Sequence, residues 1–241
     1  SLSLSNFLLL GLGAGLIALH ITLTSRLHQF GLLTNSILLW AGAGFIIWSK
    51  HTRLDLKSST LSRICGGLLI ATVLSLTALA PADRTLLHIT PVLFALGWVL
   101  IASGFNGLIN YYPGLLILCF LIPDSEAVAE KIDIAAHTAQ LSTTFLSTLG
   151  YEAVRQGSNV SLPTATVVVT PTCAGFSSIF HLIGLGVLVT QVCNSSRLMK
   201  WLIPIAGALI GFVYNSVRVS MLAVLAAAHN SEGFKYWHIG Q

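Results

Sequence analysis

Charge is what this sequence has least of. Only 8% of its 241 residues are Asp, Glu, Lys or Arg, against 54% hydrophobic, too few solvating groups to coat a water-soluble globule. A polytopic membrane protein is what remains. The net charge of +4 is spread over short connections with no basic tract, and aromatics make up 9%, so nucleic acid is not an expected partner. Cys65, Cys119 and Cys193 fall within or at the ends of apolar runs, which argues against a disulfide framework. Ser1 opens no charged stretch followed by a small-residue cleavage site, so a cleavable signal peptide is not expected. Internal repeats are not apparent. No His-Glu-X-X-His is present, and no close-spaced Cys or His pair of the kind a zinc site needs.

Long apolar runs are what it does have. A hydrocarbon core of about 30 Å takes roughly 17 to 25 residues of helix, and Phe7 to Leu23, Phe30 to Trp48, Ile64 to Ala80, Leu86 to Ala102 and Phe105 to Ile122 satisfy this. Two more follow, near Cys173 to Val192 and Lys200 to Ala228. The fold class is therefore all-α and polytopic with about seven transmembrane helices, the fourth and fifth joined so tightly at Ser103-Gly104 that a re-entrant hairpin or a shifted boundary is the alternative. Gly11 to Gly15 and Gly207 to Gly211 have the small-xxx-small spacing of close helix packing.

Sidedness rests on the connection from Ser49 to Arg63, where Lys50, Arg53, Lys57 and Arg63 outweigh Asp55 and mark the cytoplasmic face. Alternation then makes the segment from Pro123 to Thr172, and everything after Ala228, external. Within that segment Asp124, Glu126, Glu130 and Asp133 open a stretch to Gly150. Ile132, Ala136, Leu141, Phe145 and Leu149 recur there at helical spacing, which predicts an amphipathic interfacial helix with Gln140, Ser142 and Thr143 on its solvated side. Beyond it, Tyr151 to Val154 and Thr164 to Val169 flank Gln156-Gly157-Ser158-Asn159 and predict a β-hairpin.

Cys173 stands where this hairpin gives way to an apolar helix, with Pro171 before it and Gly175 after. A helix start stabilises a thiolate, and a partly exposed thiolate is a competent nucleophile. A cysteine inside a span is ordinarily packing. Arg218 is a basic residue well inside a span, at a cost of roughly 2.5 to 3.5 kcal/mol that a partner or function must offset. Counting at 1.5 Å per residue from Lys200 puts it about 27 Å across, on the same side as Cys173. Asn215 precedes it by one helical turn and shares its face, so the two can present donors to a carbonyl oxygen gaining charge or to a carboxylate. In the competing reading Arg218 snorkels to lipid headgroups and Asn215 joins helices. His238, beside the interfacial-looking Trp237, suits a general base that takes the thiol proton. His229 is its rival, eleven residues beyond Arg218 on a continued helix, and spacing does not choose between them. Cys173, His181 and His238 could be collected as zinc ligands, but no paired spacing supports a metal, and no cofactor is expected.

These pieces, in this order, resemble the exosortase and archaeosortase family of membrane cysteine transpeptidases. The quoted motifs are Cys173-Ala174-Gly175, Asn215-Ser216-Val217-Arg218 and Trp237-His238-Ile239-Gly240. The resemblance covers the C-terminal part by motif and the remainder by architecture. It implies Cys173 as nucleophile, Arg218 as stabiliser of the oxyanion or orienter of substrate, His238 as acid/base, and Asn215 and Gly175 as substrate-orienting. The implied substrates are secreted proteins with a C-terminal sorting tail: a short motif such as Pro-Glu-Pro, a transmembrane helix and a basic cluster. Cleavage would pass through a thioester resolved by an amine, at the outer face of a prokaryotic plasma membrane, with membrane lipid the other partner. Two departures from the family pattern stand out. Ala174 replaces the usual serine, and family chains continue past the histidine into another span, so the chain is expected to be a fragment. The competing class is a non-enzymatic seven-helix transporter or receptor with Arg218 in a polar path. Such a path needs polar side chains near the midplane, and these helices are almost clean of them. A rhomboid-type protease lacks its serine and histidine pair.

Overall fold

The computed structural model describes residues 4–27, 30–49, 56–80, 83–122, 133–193 and 195–239. Lys50, Arg53 and Asp55 of the basic connection, Asp124, Glu126, Glu130 and Ile132 of the expected interfacial helix, and Gly240 lie outside the described residues. The helices are α1 (Leu4–Arg26), α2 (Phe30–Ser49), α3 (Thr60–Leu79), α4 (Arg84–Cys119), α5 (Ile134–Thr148), α6 (Phe176–Val192), α7 (Met199–Ala227) and α8 (Ser231–Ile239). Between α5 and α6 lie β1 (Val154–Gln156), β2 (Asn159–Leu162), β3 (Ala165–Val168) and a 3-10 turn, Pro171–Cys173. Six helices among the described residues are long and apolar enough to cross a membrane.

α4 accounts for two of the expected segments. Gly104 sits at φ 71° and ψ −176°, a left-handed conformation that glycine adopts without penalty, and there the helix doubles back. His88 Nδ1 lies 2.7 Å from the Leu121 carbonyl oxygen, and the Trp98 and Tyr111 rings meet edge-on at 6.1 Å. A straight helix would hold the first pair about 50 Å apart. A bend in an apolar helix strands carbonyls that hydrocarbon cannot satisfy. Ser62 Oγ donates to Leu100 O at 2.8 Å and Ser58 Oγ to Ile101 O at 2.7 Å, filling two acceptors at the turn. The arm after the bend, 105–119, is about 22 Å long.

The chain divides into two compact units, residues 1–124 with 188–194, and residues 125–187 with 195–241. In the first, Leu16, Ile70, Val73 and Phe94 form a core, and α3 meets α4 so closely that a Cβ on Gly66 would lie 2.6 Å from Gly97 O. Gly11 and Gly15 of α1 have nothing within 4 Å, so this spacing, expected to pack helices, meets open space among the described residues.

The second unit is built around α7. A Cβ on Gly207 would fall 2.5 Å from Leu182 O, and one on Gly211 2.8 Å from Ile179 Cα; here the small-xxx-small spacing does bring α6 against α7. On another side α5 packs through Ala135, Ala139 and Leu146 onto Val219 and Ala223, joined by Val160, Leu162 and Val169. The expected face of α5 is thus corrected at Ser142, while Gln140 is exposed as expected. Ser142 is fully buried and Leu149 is 74% exposed, because close approach to α7 selects small and hydroxyl side chains that can bond its backbone. Ser142 Oγ donates to Ser216 O at 2.8 Å and Ser220 Oγ to Ser142 O at 3.2 Å. The helix starts with Asp133, whose carboxylate accepts the Ala136 N–H, and its end is turned by Gly150 at φ 88°.

The expected hairpin is a three-stranded antiparallel sheet, ordered β1-β2-β3. The additional strand is β2, whose Val160 and Leu162 alternate into the core; its start, Asn159, falls in the segment expected to turn. The turn narrows to residues 157–158, and the first strand begins at Val154.

Candidate active site

Three elements of the second unit converge. The 3-10 turn Pro171–Cys173 brings the thiol to the mouth of α6, and Gly175 at φ 91° redirects the chain into that helix. Any Cβ at Gly175 would lie 2.5 Å from Asn215 Cγ. The position therefore needs glycine twice, for its backbone angle and for the approach of α7. Asn215, 1% exposed, donates from Nδ2 to Cys173 O at 2.9 Å. Thr138 Oγ1 donates to Ala174 O at 2.9 Å. Both bonds pin the backbone just after the thiol-bearing Cα, and Asn215 is buried in that role.

α8 supplies the imidazole. α7 ends at Ala227, His229 turns the chain at φ 53°, and Asn230 starts the next helix by accepting the Gly233 N–H at 2.8 Å. The nine-residue helix carries His238 to Cys173, with Nε2 and Sγ 3.4 Å apart. His229, the rival, lies past the end of α7, so the continued helix that would have aligned it with Arg218 does not exist. Phe234 stacks on the His238 ring at 5.5 Å and 25°, which fixes the plane of the imidazole.

Arg218 is half-buried on α7 and reaches the far end of α8. Its Nε donates to Trp237 O at 2.9 Å and its Nη2 to His238 O at 2.8 Å. These are carbonyls a helix end leaves without intrahelical partners, and a cation there also opposes the negative end of the dipole. The guanidinium fork thereby anchors the main chain of the residue that carries the imidazole.

Thr172 and Phe234 are not singled out by any sequence signal. Thr172 Oγ1 lies 4.0 Å from Cys173 Sγ and 2.8 Å from Thr170 Oγ1, so a hydroxyl pair borders the sulfur. Phe234 has no motif; only its position one turn before His238 could have flagged it. His181, grouped with Cys173 and His238 as a zinc candidate, pairs with Ser177 along α6 at 3.4 Å. Cys173 and His238 open on a cavity of about 180 Å³ whose other walls include Val167, Val169, Val219, Leu222 and Phe234. A thiol with an imidazole in reach, beside an apolar recess, can attack a carbonyl and pass its proton on.

Residues 29–241 match the family model described as transmembrane exosortase. No curated protein and no solved structure matches the chain significantly.

Proposed function

The chain belongs to the transmembrane exosortase family, and on that premise we propose that it is a membrane cysteine transpeptidase acting on the C-terminal sorting tails of secreted proteins. The observation that carries this reading is the 3.4 Å approach of His238 Nε2 to Cys173 Sγ at the wall of a cavity. In the proposed reaction the imidazole takes the thiol proton as sulfur attacks the scissile carbonyl. The tetrahedral intermediate collapses with transfer of that proton to the leaving amine, giving a thioester on Cys173 and freeing the tail. An acceptor amine, or water, then attacks the thioester and regenerates the thiol.

Arg218 serves this reaction by seating α8 through two main-chain carbonyls. Asn215 and Gly175 set the position of Cys173. The reaction takes place at the external face of a prokaryotic plasma membrane, a sidedness argued from the basic cytoplasmic connection. Processing of a co-expressed protein carrying a C-terminal tail, judged by the mass of the released product, tests the reading. Wild type alone should process it, and a thioester should be trapped on Cys173. Equal processing by Cys173→Ser would remove the nucleophile and favour a non-enzymatic membrane protein.

A further inference from the structure

The cavity beside Cys173 is lined by four consecutive residues, Thr166 to Val169. Successive side chains of a strand point to opposite faces, so a recess touched by all four is bordered by the strand's edge as well as a face. β3 is the last strand of the sheet, and among the described residues no strand pairs with its outer side. The register identifies which main-chain groups lie there. Val169 N–H donates to Ser158 O at 3.0 Å, and residues 168, 167 and 166 stand opposite 159, 160 and 161. Bonded and non-bonded pairs alternate along an antiparallel ladder. Residues 169 and 167 therefore bond inward to β2, while Thr166 and Val168 turn their N–H and C=O groups to the free edge.

We infer that this edge binds the substrate polypeptide as an additional strand, laying the scissile peptide across Cys173. The inference rests on the reading of Cys173 as nucleophile. Two donors and two acceptors spaced as in a strand are matched by extended polypeptide, whose own groups repeat at that spacing. A lipid chain offers no such groups, and a helix has already used its own. The edge runs into the 3-10 turn that presents the thiol, so a paired chain continues past the sulfur. Extended backbone is also what exposes a carbonyl to attack. Among the described residues no titratable side chain other than Cys173 and His238 lines the recess, so the substrate side chain entering it is uncharged and apolar.

The test uses the purified full-length chain in detergent micelles, with alkylation of Cys173 followed by peptide mass mapping. The probes are acetyl-Ala-Ala-Val-Ala chloromethyl ketone, its variants N-methylated at each amide in turn, and iodoacetamide. N-methylation removes one donor, so the rate should fall about tenfold at alternate amides and stay unchanged between them. Val168→Pro removes one edge N–H and no bond to β2; it should slow the unmethylated reagent by a similar factor. Rates indifferent to methylation, with Cys173 still labelled faster by iodoacetamide than Cys119 or Cys193, would overturn the edge site and leave the nucleophile standing. A Cys173 that iodoacetamide labels no faster than those two would overturn both.

Discussion

Gly175→Ala is the sharpest test of how the site is held. An alanine there carries two separate costs. The backbone angle of φ 91° is one an L-residue adopts at about 1–2 kcal/mol. The added methyl would meet Asn215 Cγ at 2.5 Å and its Cβ and Nδ2 at 2.6 Å, and an overlap of that depth in packed surroundings costs a further 1–3 kcal/mol or so. Together these come to roughly 2–5 kcal/mol. Gly150→Ala is the internal control, because Gly150 has φ 88° and nothing within 4 Å, and so bears the backbone cost alone. In an SDS unfolding titration Gly175→Ala should be less stable than Gly150→Ala by at least about 1 kcal/mol, and its tail processing should fall where that of Gly150→Ala persists. Asn215→Ala in the same chain should not restore it, because Asn215 Cβ is itself 2.6 Å away. Equal stability and equal processing in the two alanine variants would refute the claim that Asn215 closes over Gly175.

His238→Ala should lower processing by about a hundredfold or more, whereas His229→Ala should leave it unchanged; the reverse pattern in the same product assay would move the acid/base role to His229. Arg218→Lys keeps the charge but loses the fork that spans two carbonyls. It should cut processing and speed tryptic cleavage at Lys235, a surface residue protected by the docked helix, and unaltered digestion would show that α8 is seated by other contacts. Ser142→Ala deletes one donor to Ser216 O, which keeps the Ser220 hydroxyl, and should destabilise the protein by about 0.5–1.5 kcal/mol, while Leu149→Ala, at an exposed position, should stay within about 0.5 kcal/mol; SDS titration of both reads the true face of α5.

The membrane helices were legible because a span is announced by length and hydropathy alone, and Ser103-Gly104 marked the bend since only glycine turns there cheaply. The face of α5 was not. A rule that looks for Leu and Phe reads Leu149 inward, yet helices that approach closely bury Ala, Ser and Thr, and Ser142 went in instead. β2 escaped because four residues, Asn159 to Leu162, carry too little alternation to stand out from a turn. α8 was hidden by its mixed composition and its length of nine residues. For the site, the residue types and their order pointed to Cys173, Arg218 and His238 as a set. That Arg218 reaches main-chain carbonyls, and that Asn215 is consumed in holding the Cys173 backbone, depends on chain reversals no local pattern encodes. Spacing left His229 and His238 level; the end of α7 at Ala227 separates them.

Cys173 and His238 are 65 positions apart with both α6 and α7 between them, and this order has a consequence for biogenesis. As the chain is threaded into the bilayer, Cys173 is in place while the imidazole that will meet it is still to be made, and the guanidinium that will seat α8 waits without its carbonyls. The thiol gains its partner only when α8 docks. Under the proposed mechanism, a chain inserted only as far as α7 is not yet able to attack the secreted proteins crowding the same membrane, and reactivity arrives with the docking of α8.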